Sequence, residues 1–293
     1  MPIKASELIL NPDGSVYHLN LRPEHIANTI ITVGDPDRVD TVTQHFDSIE
    51  FQTRKREFHT QTGTYKGIRI TVISTGIGTD NIDIVFNELD ALVNIDLEKR
   101  EIKNHHTSLD IIRIGTSGSL QTEIPINAFL ISDYAAGFDS LLHFYKSEHV
   151  LYDDISEALV KHTNWSPLKS RPYVVKCDED LMKKFSSEKT HRGFTATNVG
   201  FYGPQGRILR LSLQDDGLND KLANFDYNGM PITNLEMETA GIYGLSKLLG
   251  HKALSMNAII ANRATGEFTQ DSKKVVDDLI RYCLGKLVES KTF

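Results

Sequence analysis

Short apolar runs of strand length alternate along the chain with longer segments in which apolar residues recur every three or four positions. Residues 27–33 (ANTIITV), 68–74 (IRITVIS), 109–114, 128–132, 173–177, 194–199 and 253–261 predict strands. Runs such as VVKC and NAIIA are apolar at successive positions, as in strands covered on both faces. Residues 81–93 place Ile82, Val85, Phe86, Leu89 and Leu92 on one stripe, which predicts a helix capped by Thr79 or Asp80. Residues 238–249 predict a second helix, with Gly250 just past its end. Residues 272–287 predict a third, with Val275, Val276, Leu279, Ile280, Cys283 and Leu287 on one side. Strands alternating with helices predict an α/β layered fold.

No repeat, low-complexity tract or Pro/Gly/Ser-rich linker divides the chain, so one domain over residues 1–293 is expected. Residues 97–107 (LEKREIKNHHT) are polar and read as a surface insertion. The His105–His106 pair within it reads as solvated loop rather than a metal site, because no matching carboxylate or cysteine spacing surrounds it.

Composition narrows the classes. The formal charge of −7 opposes general nucleic-acid binding, which rewards a basic face, but leaves room for a local anion pocket. No apolar stretch approaches the ~20 residues of a membrane span. The N-terminal MPIKASELILNPDGS lacks the apolar core of a signal peptide. Cys177 and Cys283 read as buried thiols of a reducing compartment rather than a disulfide. A cytoplasmic protein is the expectation.

Five segments carry candidate chemistry. Gly34-Asp35-Pro36-Asp37-Arg38 follows a predicted strand; Asp35 can cap a helix begun by Pro36, so free N–H groups and Arg38 face an anion. An ordinary strand–helix junction reads the same way. Ser74-Thr75-Gly76-Ile77-Gly78 is half of a dinucleotide fingerprint, without its third glycine or distal acid. Arg113 sits inside an apolar strand ahead of Gly115-Thr116-Ser117-Gly118, so it needs either a buried salt bridge or an oxyanion. Glu236-Met237-Glu238 enters a helix, where one carboxylate can point into a cleft. Phe201 to Arg207 (FYGPQGR) joins an aromatic ring, an amide and a guanidinium on one loop.

In this order the motifs GDPDRV, REF (Arg56–Phe58), STGIG, RIGTSG, FYGPQGR, NLEMET and ANR resemble the uridine phosphorylases of the trimeric/hexameric nucleoside phosphorylase superfamily. The match runs from His18 to Arg263. The resemblance implies a three-layer α/β/α fold with a mixed, partly barrel-like central sheet. It implies reversible phosphorolysis of uridine to uracil and ribose 1-phosphate, with inorganic phosphate as co-substrate and no organic cofactor. Gly34, Arg38, Arg113 and Thr116 correspond to the phosphate ligands, joined by Arg56 from a neighbouring subunit. Met237 and Glu238 correspond to the ribose ligands, joined by His18 across a dimer interface. Gly118, Phe201, Gln205 and Arg207 correspond to the uracil site. Arg207, Gln205, Glu238 and Arg113 are the catalytic set. A homo-oligomer with shared sites follows.

Two departures from the family pattern stand out. The loop order is Gly203-Pro204 where Pro-Gly is usual. Bacterial relatives hold a potassium ion through a Glu and a Ser; Glu57 matches the first, but Asn81 stands at the second. Phosphate is already a nucleophile, in keeping with the lack of zinc or GxSxG spacings. Purine-specific relatives carry an Asp after the last core strand, and residues 259–263 (IIANR) have none. A nucleosidase using water, and a nucleoside-binding protein without turnover, are the alternatives; the retained arginines disfavour both.

Overall fold

The computed structural model describes residues 2–289. In chain order its main elements begin with β1 (Thr29–Val33), α1 (Asp37–Thr43), β2 (Ser48–Lys55), β3 (Phe58–Tyr65), β4 (Ile68–Ser74) and α2 (Thr79–Asn94). There follow β5 (Ile95–Asp96), β6 (Glu101–Ile102), β7 (Asp110–Ser119), β8 (Phe129–Gly137), α3 (Asp153–Thr163), β9 (Tyr173–Lys176) and α4 (Glu179–Phe185). The remainder are β10 (Thr190–Thr197), α5 (Leu218–Ala223), β11 (Ile232–Glu236), α6 (Thr239–Leu249), β12 (Lys252–Asn262), β13 (Glu267–Phe268) and α7 (Ser272–Glu289).

Every apolar run expected to be a strand lies on one, with shifted ends. β7 runs on to Ser119 and β8 to Gly137, well past the apolar stretches at 109–114 and 128–132. Small and hydroxyl residues continue both strands inside the molecule, where ladder hydrogen bonds rather than hydropathy extend them. The polar strand β2, the Thr-rich β3 and the short β11 carry too little apolar signal to be read in advance.

All strands but β5 and β6, which pair with each other, form an 11-stranded sheet that curls on itself. β7 pairs with β12, β12 with β8, β8 with β10, β10 with β11, and β11 returns to β7, so five strands close a ring. From β7 the sheet continues outward through β1, β4, β3 and β2. Parallel and antiparallel pairs are mixed, as in the expected partly closed sheet.

The helix α2 buries Ile82, Val85, Phe86, Leu89 and Leu92, each about 1.5–3 kcal/mol of transfer free energy. Its cap differs from expectation: the cap position is Gly78, at φ 97°, and neither Thr79 nor Asp80 caps it. A left-handed turn is needed there, which glycine supplies without a Cβ penalty. α1 starts at Asp37, one residue later than a Pro36 start, and the Asp35 carboxylate accepts the Asp37 N–H at 3.0 Å. α6 ends with Gly250 at φ 77°, the left-handed terminator expected. Cys177 and Cys283 are free buried thiols, and burial pushes Cys177 up to about 12.

The 97–107 segment is more ordered than a solvated loop. β6 folds back on β5, and His106 Nε2 bonds the Leu249 carbonyl at 2.8 Å. The chain also brings a distant carboxylate to it: ligand-type atoms of Asp90, His106 and His251 lie within 4.8 Å of one another. The Leu109 N–H donates to His251 Nδ1 at 3.2 Å, and His251 Nε2 lies 3.4 Å from Asp90.

Candidate active site

A cavity of about 790 Å³ opens where β1, β4, β7 and β11 end or bend. Crevices at the carboxyl ends of parallel strands are where α/β folds bind ligands, because loops and free N–H groups converge there. One wall comes from Gly34, Arg38, Arg113 and Thr116, another from Met237 and Glu238, and a third from Phe201, Gln205 and Arg207. Gly118 and Glu57 also line it. Eleven of the thirteen residues singled out in the sequence thus meet in one space.

Arg113 is 6% exposed and makes the buried salt bridge that was one of its two sequence readings. Its Nη2 donates to Glu238 Oε2 at 2.6 Å and lies 3.2 Å from Glu236 Oε2, while Nη1 donates to Asn257 Oδ1 at 3.0 Å. Burial opposes its charge, but the two carboxylates raise its pKa above the ordinary value. The side chain folds back over Gly115, where a Cβ would overlap the guanidinium. Glu236 is the linchpin of this cluster. It accepts the Glu238 N–H at 3.0 Å and hydrogen bonds from both the Thr197 and Thr239 hydroxyls.

Burial, with Glu236 beside it, raises Glu238 above an ordinary carboxylate despite Arg113. The Gly78 N–H donates to its other oxygen at 2.9 Å, which ties the STGIG turn to the ribose-type carboxylate. Arg38 donates to the Ile114 carbonyl at 3.2 Å; burial and then Arg113 lower its pKa. Two guanidiniums that line one cavity and feel each other's charge form a site that an oxyanion would relieve.

The loop after β10 holds the third wall. Arg207 lies 3.7 Å over the Phe201 ring and donates to Gln205 Oε1 at 2.8 Å. The despite-order Gly203-Pro204 turn still delivers Gln205 to the cavity, buried to 3% exposure. Arg263, known from the sequence only as a motif residue, proves to be the loop's anchor. Its Nη1 donates to the Gln205 carbonyl at 2.6 Å, and burial, with Arg207 nearby, pulls it down to about 10. Its signal was present: an arginine closing an apolar strand needs a partner, as Arg113 does. Ile260 and Phe268 also line the cavity and gave no sequence signal.

His18 and Arg56 lie outside this cavity. His18 Nδ1 pairs with Glu88 at 2.6 Å, and the His18 and Leu19 N–H groups donate to the same carboxylate. Arg56 is exposed at the tip of the β2–β3 hairpin, at φ 58°. Glu57 and Asn81, at the positions corresponding to the potassium ligands, flank Gly76, and Asn81 turns its amide nitrogen to the Ile77 carbonyl at 3.5 Å.

The model of the phosphorylase superfamily matches residues 28–289. The chain belongs to this superfamily. Among its members, a uridine phosphorylase of Thermococcus kodakarensis is 29% identical over 269 residues, 89% of this chain and 83% of that protein. A DeoD-type purine nucleoside phosphorylase of Listeria welshimeri is 26% identical, over 90% of this chain and 95% of that one. The crystal structure of a Trypanosoma brucei nucleoside phosphorylase with uridine phosphorylase activity superposes with TM-score 0.86 at 29% identity, over 96% of this chain and 99% of that chain. One of two uridine phosphorylases of Phytophthora capsici shares the fold, with TM-score 0.69 at 22% identity over 98% of this chain and 99% of that one. The superfamily chain is a pentosyltransferase that takes phosphate as co-substrate and requires no organic cofactor. Among the described residues no helix is long and apolar enough to cross a membrane.

Proposed function

We propose that the chain is a uridine phosphorylase that converts uridine and phosphate reversibly to uracil and ribose 1-phosphate in the cytoplasm. The carrying observation is that Phe201, Gln205 and Arg207 line the same cavity as the Arg38–Arg113 pair. Phosphate is held by Arg38, Arg113, Thr116 and the Gly34 backbone. Glu238 accepts the ribose hydroxyls and Met237 packs under the sugar. One phosphate oxygen bonds C1′ as the C1′–N1 bond breaks, and that electron pair leaves with uracil, whose anion then takes a proton from water. Gln205 and Arg207 donate to the base edge, and their attraction grows as charge builds there. Uracil stacks against Phe201 and the Gly118 backbone.

His18 and Arg56 act in the site of a neighbouring copy, a reading supported by their absence from the lining of their own chain's cavity. The enzyme is therefore a homo-oligomer. Purine choice is disfavoured, since 259–263 offers no acid for a purine nitrogen and a purine would leave buried donors of the base loop unpaired. The Glu57–Asn81 pair supports turnover independent of potassium.

The test is ultraviolet detection of uracil released from uridine, with and without phosphate, and with inosine as control. Phosphate-dependent cleavage of uridine alone is the expected result. Cleavage without phosphate would make the chain a nucleosidase, and cleavage of inosine would overturn the base assignment. Uridine binding without release would leave a non-catalytic binder.

A further inference from the structure

His59 is a buried titratable side chain that the proposed chemistry does not use. It lies on β3 at 7% exposure, three residues after Arg56, and is not among the residues that line the cavity. Its Nδ1 lies 3.1 Å from the Pro36 carbonyl. A carbonyl only accepts, so Nδ1 carries the hydrogen and donates it. Pro36 stands between Gly34 and Arg38, and all three line the cavity. It is also the cap position of α1, whose second residue is Arg38. The His59 ring thus holds the peptide from which Arg38 starts.

The ring is itself held from its other edge. In the neutral ring Nε2 is then an acceptor, and Gln61 Nε2 approaches it at 3.4 Å. The same amide nitrogen donates to Asp40 Oδ1 at 2.7 Å, and the Thr43 hydroxyl donates to Gln61 Oε1. Asp40 and Thr43 belong to α1, so these links join β3 to the helix that carries Arg38. Donors run one way, from Thr43 through Gln61 and His59 to Pro36, which fixes how the ring is turned. The His59 backbone is also tied. Its N–H donates to Ser74 Oγ at 2.7 Å, and that hydroxyl donates to the Glu57 carbonyl at 2.6 Å. The exposed tip with Arg56 therefore hangs from the residue that holds Pro36.

We propose that His59 is a positioning residue for phosphate: through Pro36 it sets where Gly34 and Arg38 stand. In the sheet β3 is separated from β11 by β4, β1 and β7. A shift at His59 therefore reaches the phosphate wall and leaves the ribose wall, built at the end of β11, in place. This role rests on the assignment of phosphate to the Gly34–Arg38 loop and not on which nucleoside is cleaved.

Calorimetric titration of inorganic phosphate into the full-length protein, without nucleoside, reads this role directly. His59→Phe keeps a ring but removes the donor, and should weaken phosphate binding about tenfold. His59→Asn, whose amide nitrogen can stand in for Nδ1, should regain most of that loss. Gln61→Met frees the far edge of the ring and should weaken phosphate about threefold. It decides the case if circular dichroism shows His59→Phe unfolded, since Asp40 is exposed to water and the Thr43 hydroxyl also reaches the Val39 carbonyl at 3.0 Å. In phosphorolysis assays of His59→Phe, KM for phosphate should rise about tenfold while KM for uridine stays within about twofold. Wild-type phosphate affinity in folded His59→Phe, or in Gln61→Met where the former does not fold, would overturn the proposal. So would equal losses for phosphate and uridine, or an Asn variant no better than the Phe one. A wild type that binds phosphate but cleaves no uridine would overturn the uridine reading alone; one that binds no phosphate would overturn both.

Discussion

The arginines of the phosphate wall differ in what surrounds them, and so should their variants. Arg38 makes one hydrogen bond to a main-chain carbonyl, so Arg38→Ala should keep the fold while lowering kcat/KM for phosphate by roughly 10²–10³. Arg113→Ala strips the counter-charge from two buried glutamates; melting curves should show a loss of roughly 3–5 kcal/mol beside lost activity. Equal stability of the two variants would refute the difference. Glu238 gives a pH signature. Its pKa is raised, and it must be ionised to accept sugar hydroxyls, so kcat/KM for the nucleoside should fall on the acid side from a pH above the ordinary glutamate value of 4.5. Glu238→Gln should be slower throughout and lack that limb. These residues were legible because glycine-flanked arginines and a carboxylate pair interrupt apolar strands. Glu236 was not legible as a hub, since its role lies in Thr197 and Thr239, which are remote or inconspicuous in sequence.

At the scale of elements, hydropathy located the strands with continuous apolar runs and missed the exposed β2 and the buried but polar β3 and β11. β2 mixes exposed and half-buried residues, and β3 is built on threonines and a glutamine that bond neighbouring elements, as in the 2.7 Å hydroxyl contact of Thr62 with Thr71 of β4. Neither leaves an apolar trace. The ring closure left no hydropathic trace and was expected only from the family resemblance, because it depends on β7 pairing with β1, β11 and β12 along different parts of its length. β7 also carries the turnback of Arg113 over Gly115. Gly115→Ala should therefore displace the guanidinium and cut phosphate affinity severalfold while the strand survives. A crystal structure of the variant with Arg113 unmoved would contradict this reading of the glycine.

The whole molecule raises the question of shared sites. If Arg56 serves a neighbour, mixing inactive Arg56→Ala and Glu238→Gln subunits by joint refolding should restore about a quarter of wild-type activity. Half of random dimers are mixed, and each has one intact site of two. No recovery from two inactive variants would place Arg56 in its own subunit's site and not a neighbour's. Replacing potassium by sodium should leave the rate unchanged. The hairpin tip that holds Arg56 has a further consequence. A left-handed backbone suits glycine, and an arginine there gives up about 1 kcal/mol of stability. Arg56→Gly should thus yield a chain that melts later and works worse. Position 56 is one where thermal robustness and catalysis pull in opposite directions, so selection for heat tolerance alone would tend to erode the enzyme there first.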